Sequence, residues 1–295
     1  MSFSVHSRLA LIPSLIGSTI HILPAHALPQ LSPQPHRILF SQAIFYTTPI
    51  SRTPSYQPSR PFLPPADRWL PIRSPIQQLH ARPLTLWATY YYVYQARPTA
   101  NGLPLLDPAG TPLSPPLSVR DWCYAALQGT VQVTDVQERT TTYNFAGRGD
   151  IPQTDCSPFF SSLSATVADK VSRVRFTPIA SKYGRGAKGV ELVPYRTIAV
   201  DPTLIPFGSV VYIPQANGQV ITLPSGQQVI HDGYFYAADT GSAIVGNHID
   251  VFLGTNPQNP FPFVTSKPNG EFAAYVVEDT AITQALQGLH QPIPR

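Results

Sequence analysis

Two stretches decide the fold: RTIAVDPTLIPFGSVVYIP at residues 196–214 and ADTGSAIVGNHIDVF at residues 238–252. Each sets a short β-rich run beside an aspartate and a turn. Thr197-Ile198-Ala199-Val200 runs into Asp201, Tyr236-Ala237-Ala238 runs into Asp239, and Asp250 lies inside Ile249–Phe252. A carboxylate set against an apolar strand is partly desolvated, which raises its pKa toward the range useful to a general acid. Taken singly, each aspartate also suits a turn, where a short acidic side chain caps backbone N–H groups.

Working outward, the pattern stays one of strands. Trp87–Tyr94 is dense in β-favouring side chains, residues 129–136 alternate valine with polar residues, and 140–145 can return from them. Further runs fall at 219–223, 227–230, 234–238 and 272–277, with turn signals at Asn217-Gly218 and Pro224-Ser225-Gly226. Helices are expected only at 121–127, 161–172 and 280–289. Many short strands with regular turns indicate an all-β barrel or sandwich.

The leading part differs. Residues 1–116 hold 20 of the 34 prolines, and residues 1–100 carry eight arginines, no lysine and one acid, Asp67. The remainder carries 12 bases and 15 acids, so the net +4 belongs to the leading segment. That charge is scattered among prolines rather than gathered on a face, which argues against nucleic acid. This proline load excludes long helical bundles. No run of 18 apolar residues occurs, so no membrane-spanning helix is expected. Residues 1–27 read as an export signal: Arg8, the apolar run from Leu9, and the small-x-small exit Ala25-His26-Ala27. Residues 28–84 read as a disordered Pro-rich linker. In an exported chain Cys123 and Cys156 are expected as a disulfide; the competing reading of Cys123 as a nucleophile lacks a supporting histidine motif.

The motif Arg-Thr-Ile-Ala-Val-Asp-Pro-x-x-Ile-Pro-x-Gly-x-x-Val-Tyr-Ile-Pro at 196–214, followed by Ala-Asp-Thr-Gly-Ser-Ala-Ile-x-Gly-Asn-x-Ile-Asp-Val-Phe at 238–252, resembles the 3D domain, a family named for its three aspartates. Thr89-Tyr90-Tyr91 resembles its opening strand. The resemblance implies a six-stranded double-psi β-barrel over residues 85–290, with about 95–175 as an insertion. It also implies cleavage of peptidoglycan between N-acetylmuramic acid and N-acetylglucosamine, without metal or organic cofactor. Asp250 would be the acid, Asp239 a supporting carboxylate and Asp201 the third member. Thr240, Gly241 and Ser242 would lie toward the sugar, and Tyr91 could stack on it, although core packing suits that ring better. Short family members usually carry a basic residue after the Ile-x-Gly turn. Val245 and Asn247-His248 stand there instead, so no charged partner for the acid is expected.

Rival readings exist. Asp239-Thr240-Gly241-Ser242 matches an aspartic-protease nucleus, but no second such loop occurs, so that enzyme would be a homodimer. His248-x-Asp250 with His231 and Asp232 would make a metal site. Gly184–Gly189 is glycine-rich but lacks the ending of a phosphate loop, and reads as a flexible connection. A module that holds wall glycan without cutting it is the non-enzymatic alternative.

Overall fold

The computed structural model describes residues 69–73 and 80–292. The expected export signal and most of the expected linker lie outside the described residues. Every described residue belongs to one compact unit, within Ser59–Arg295.

In chain order come β1 (Ala81–Tyr91), β2 (Tyr94–Ala96), α1 (Val119–Gln128), β3 (Thr130–Thr134), β4 (Thr140–Arg148), α2 (Ala165–Ser172) and β5 (Val174–Ile179). Then follow β6 (Thr197–Ala199), β7 (Val210–Tyr212), β8 (Val220–Thr222), β9 (Gln228–Ile230), β10 (Tyr234–Asp239), β11 (His248–Phe252), β12 (Phe272–Val277) and α3 (Thr280–Leu289). The described part is mostly sheet with few helices.

Six strands each pair with two others, closing a ring in the order β1-β11-β6-β10-β7-β12. The β1–β11 and β6–β10 pairs are parallel and the other four antiparallel. The two-residue period of a strand sorts the side chains. Leu86 and Ala88, Ile198, Val211, Phe235 and Ala237, Ile249 and Val251, and Ala274 and Val276 share one buried cluster. Residues of the opposite phase, among them Tyr91, Ala199, Tyr236 and Phe252, join a second cluster under α3. Asp279 caps α3 by accepting from the Ile282 N–H at 2.8 Å.

A separate sheet, ordered β2-β3-β4-β5, occupies residues 94–179 and so takes in the expected insertion. α1 packs on it through Trp122 and Ala126, which share a cluster with Val131, Val133 and Phe176. Cys123 of α1 is disulfide-bonded to Cys156, so neither offers a thiol nucleophile. β8 and β9 form a small hairpin.

Three sequence expectations change. The linker boundary at residue 84 falls inside β1, which starts at Ala81. Residues 81–86 pair on one side only, with β12, and such an edge tolerates the missing N–H of Pro83. Farther back, Trp69 stacks over the Arg196 guanidinium at 3.8 Å, and the Leu70 carbonyl accepts from Arg196 at 2.8 Å. Arg196 is buried and paired with Asp232, so this piece of chain packs on and hydrogen-bonds a core side chain and is not linker. β5, with its Arg175 and Pro178, was not expected as a strand.

Candidate active site

Ala199 of β6 is the pivot of the site. It pairs on one side with Asp239 of β10 and on the other with Asp250 of β11. Two carboxyls thus flank one methyl group, on strands whose backbones lie roughly 9–10 Å apart. Simple alternation would send Asp239 into the barrel interior with Ala237. A register shift between these two residues turns it to the side of Asp250, a bulge re-aiming a side chain.

Both aspartates line a cleft of about 590 Å³. Tyr91, Ala199 and the Thr240–Ile244 loop form its barrel side; Gln128, Asn144, Phe145, Arg148 and two residues of α2 face them from the second sheet and its helices. Thr89 Oγ1 lies 2.7 Å from Asp250 Oδ1, and the Tyr91 hydroxyl donates to Asp239 at 2.8 Å. Burial, with a smaller push from Asp239, raises Asp250 to about 7 against the pull of Thr89. Burial likewise raises Asp239 to about 6, opposed by Tyr91 and by the backbone N–H groups of Thr240 and Ala187. Burial thus raises both carboxyls toward neutrality, Asp250 the further, so Asp239 is the more acidic of the pair.

Asp201 corrects an expectation. It does not line the cleft. Its Oδ2 accepts from the Gly246 N–H at 2.8 Å and its Oδ1 from the Thr203 N–H and hydroxyl at 2.9 and 2.7 Å. These donors, Gly246 foremost, hold its carboxyl below the usual range instead of raising it. Asp201 ties the loop before β11 to the turn after β6; it does not meet the other two. Tyr91 takes the packing role expected of it, at the cleft edge. Its hydroxyl is committed to Asp239 and its ring packs on Phe252 with centroids 5.0 Å apart, so it positions a carboxylate instead of offering a face to a sugar. Thr240, Gly241 and Ser242 are exposed along the cleft, and Arg148 reaches from β4 to donate to Ser242 Oγ at 2.5 Å.

The metal reading fails on placement. His231 is buried against the Tyr195 carbonyl and the Gly233 N–H, and Asp232 is held by Arg196, while His248 contacts Thr89 and the Ala243 carbonyl. Among the described residues no group of three or more His, Cys, Asp or Glu is placed to hold an ion.

Sequence reasoning gave Arg148 no place in the site and read the 184–189 segment only as a flexible connection. The latter is not simply flexible: a Cβ at Gly186 would lie 2.6 Å from the Ala238 carbonyl, and this close approach brings the Ala187 N–H to Asp239.

Residues 196–260 match the family model of the 3D domain, and this matched stretch carries all three aspartates. Structural neighbours are lytic transglycosylases. Escherichia coli MltA with bound chitohexaose superposes with a TM-score of 0.42 at 17% identity, over 66% of this chain and 72% of that one. The membrane-bound lytic murein transglycosylase of Agrobacterium tumefaciens gives 0.44 at 15% identity, over 69% and 77%. LtgG of Burkholderia pseudomallei, a lytic transglycosylase, gives 0.35 at 18%, over 67% and 73%. No curated protein sequence matches.

Proposed function

We propose that the protein is an exported peptidoglycan lytic transglycosylase whose acid and base is Asp250. The observation that carries this reading is a carboxyl in a cleft wall, raised to about 7 and adjoined by a more acidic partner, inside the stretch matched to the 3D domain. The closed ring of strands we read as the double-psi barrel of that family, and residues 1–27 as its export signal.

In the reaction Asp250 gives its proton to the glycosidic oxygen as the bond from that oxygen to the muramoyl anomeric carbon breaks. The 6-hydroxyl of the same sugar then bonds to that carbon, and its proton returns to Asp250. The product ends in a 1,6-anhydro ring, no water is consumed, and the acid is regenerated. One carboxyl suffices, whereas hydrolysis employs a second to activate water or form a covalent intermediate. Asp239, ionised and held by Tyr91, supplies negative charge to the oxocarbenium-like transition state.

The test is to incubate the protein with purified peptidoglycan and identify the released fragments by mass spectrometry. The expected products are 1,6-anhydromuropeptides, formed fastest between about pH 6 and pH 7, where the favoured state combines protonated Asp250 and ionised Asp239. Asp250→Asn should cut release by about 100-fold or more while glycan binding persists. Products with a free reducing muramic acid would instead make the enzyme a hydrolase, and binding without any product would make it a glycan-holding module.

A further inference from the structure

The contacts behind Asp250 pose a problem of proton counting. His248 Nδ1 lies 3.0 Å from the Ala243 carbonyl oxygen, and His248 Nε2 lies 2.9 Å from Thr89 Oγ1. Thr89 Oγ1 in turn lies 2.7 Å from Asp250 Oδ1. A carbonyl oxygen only accepts, so Nδ1 carries a hydrogen. The threonine hydroxyl has one hydrogen and serves either Nε2 or Oδ1. Two arrangements satisfy all three contacts. In the first, the imidazole is neutral, Thr89 donates to Nε2, and protonated Asp250 donates from Oδ1 to Thr89. In the second, an imidazolium donates from Nε2 to Thr89, which donates to an Asp250 carboxylate. A neutral imidazole beside an ionised Asp250 fits neither, because one hydrogen then faces two acceptors.

We propose that His248 is a positioning residue that acts through Thr89 to keep a proton on Asp250, the three side chains forming a one-proton wire. Its meaning for catalysis rests on the transglycosylase reading; the wire itself does not. The strand register builds it: Trp87 pairs with His248 and Thr89 with Asp250 along the parallel β1–β11 ladder. The Trp87 ring clamps the imidazole, with centroids 3.6 Å apart and planes within 8°. Burial holds His248 below its ordinary range against the opposing Ala243 carbonyl, and raises Asp250 above its own, both favouring the first arrangement, whereas Thr89 draws Asp250 down only when it donates to the carboxylate, as in the second. Passing to the second breaks Asp250 Oδ1–H as Thr89 O–H forms, and moves the former Thr89 hydrogen to Nε2. One proton shifts from Asp250 to His248, and no other reactant is needed.

The ionisable groups facing the wire are Asp239 on β10 and Tyr91 on β1, with Arg148 and Arg185 across the cleft. Asp201, bound to Gly246, and Glu271, bound to Asn247, stand by the loop before β11. All six stay in place in the following comparison.

Nitrogen-15 NMR of the full chain, labelled at histidine, should show His248 near pH 7 as the neutral tautomer with hydrogen on Nδ1. Carbon-13 titration of Asp250 should then separate the variants. His248→Phe keeps a ring on Trp87 but removes the acceptor, so the Thr89 hydrogen passes to the carboxylate and the Asp250 midpoint falls by about one pH unit. His248→Gln, with an amide oxygen as acceptor, should restore it in part. In a Thr89→Val background, His248→Phe should change nothing further. A midpoint that stays or rises in His248→Phe, or hydrogen on Nε2 alone in the unaltered protein, overturns the proposal. The nitrogen spectrum needs no variant to fold, and both readouts are titrations. A protein that cuts no glycan would therefore still report on the wire, which keeps its failure distinct from failure of the transglycosylase reading.

Discussion

Asp250 is a carboxyl the fold keeps at a thermodynamic cost. Its pKa in the folded chain, about 7, stands well above the ordinary 3.8, so between those values the folded state binds more protons than the unfolded one. Stability from this group is fully present below about pH 4 and is lost as pH rises through about 7. An asparagine there has no charge to desolvate. Asp250→Asn should therefore melt near the unaltered protein at about pH 3.5, where the carboxyl is protonated in both states, and above it at pH 8, by an amount worth roughly 1–2 kcal/mol once partial solvent access is allowed for. Melting curves by circular dichroism across this range check it. A difference that does not change with pH would mean that Asp250 is well solvated.

At the scale of elements, the site is made by pairing rather than by any local motif. β6 is only three residues long, yet its central position between β10 and β11 brings Asp239 and Asp250 to either side of Ala199. Ala199 lines the cleft floor, where a larger side chain would stand between the carboxyls. Ala199→Leu should lower product release by about 100-fold while changing little in the barrel interior, since Ala199 faces away from Ile198 and Val211. Fragment release together with the melting temperature would show this; equal activity would mean that sugar does not bind over Ala199. The same logic explains what could be read beforehand. Asp239 and Asp250 sit in a dense motif, and β12 lies at the residues where alternation put it. Thr89 acquires its role only because β1 runs parallel to β11 across a separation of 161 residues, and nothing near Thr89 announces that register. Asp201 misled for the converse reason. Its motif position matches the others, but the turn Asp201–Leu204 and the Gly246 N–H consume its carboxylate, and such hydrogen bonds follow from loop geometry.

Across the described molecule, the two carboxyls come from the ring of strands and the facing wall from the second sheet, so charge and access are set by different parts. Arg148 joins them at Ser242, and Asn144 of β4 accepts from the Arg185 N–H at 2.9 Å. Behind that wall, the disulfide anchors α1, whose last residue Gln128 lines the cleft and accepts from the Tyr92 N–H at 2.8 Å. Removing a cross-link of 33 residues' separation costs about 3–4 kcal/mol if it acts on the unfolded chain. The double variant Cys123→Ala/Cys156→Ala should lose that stability chiefly from the second sheet. Asp250 should still titrate near 7, because its ladder neighbours Thr89 and Ala199 both lie in the ring of strands, while glycan affinity falls as the opposite wall loosens. Carbon-13 titration of Asp250 and a peptidoglycan pull-down, run on the same preparation, separate the two effects. An Asp250 midpoint that drops with the affinity would show that the second sheet, and not the barrel alone, shelters the acid.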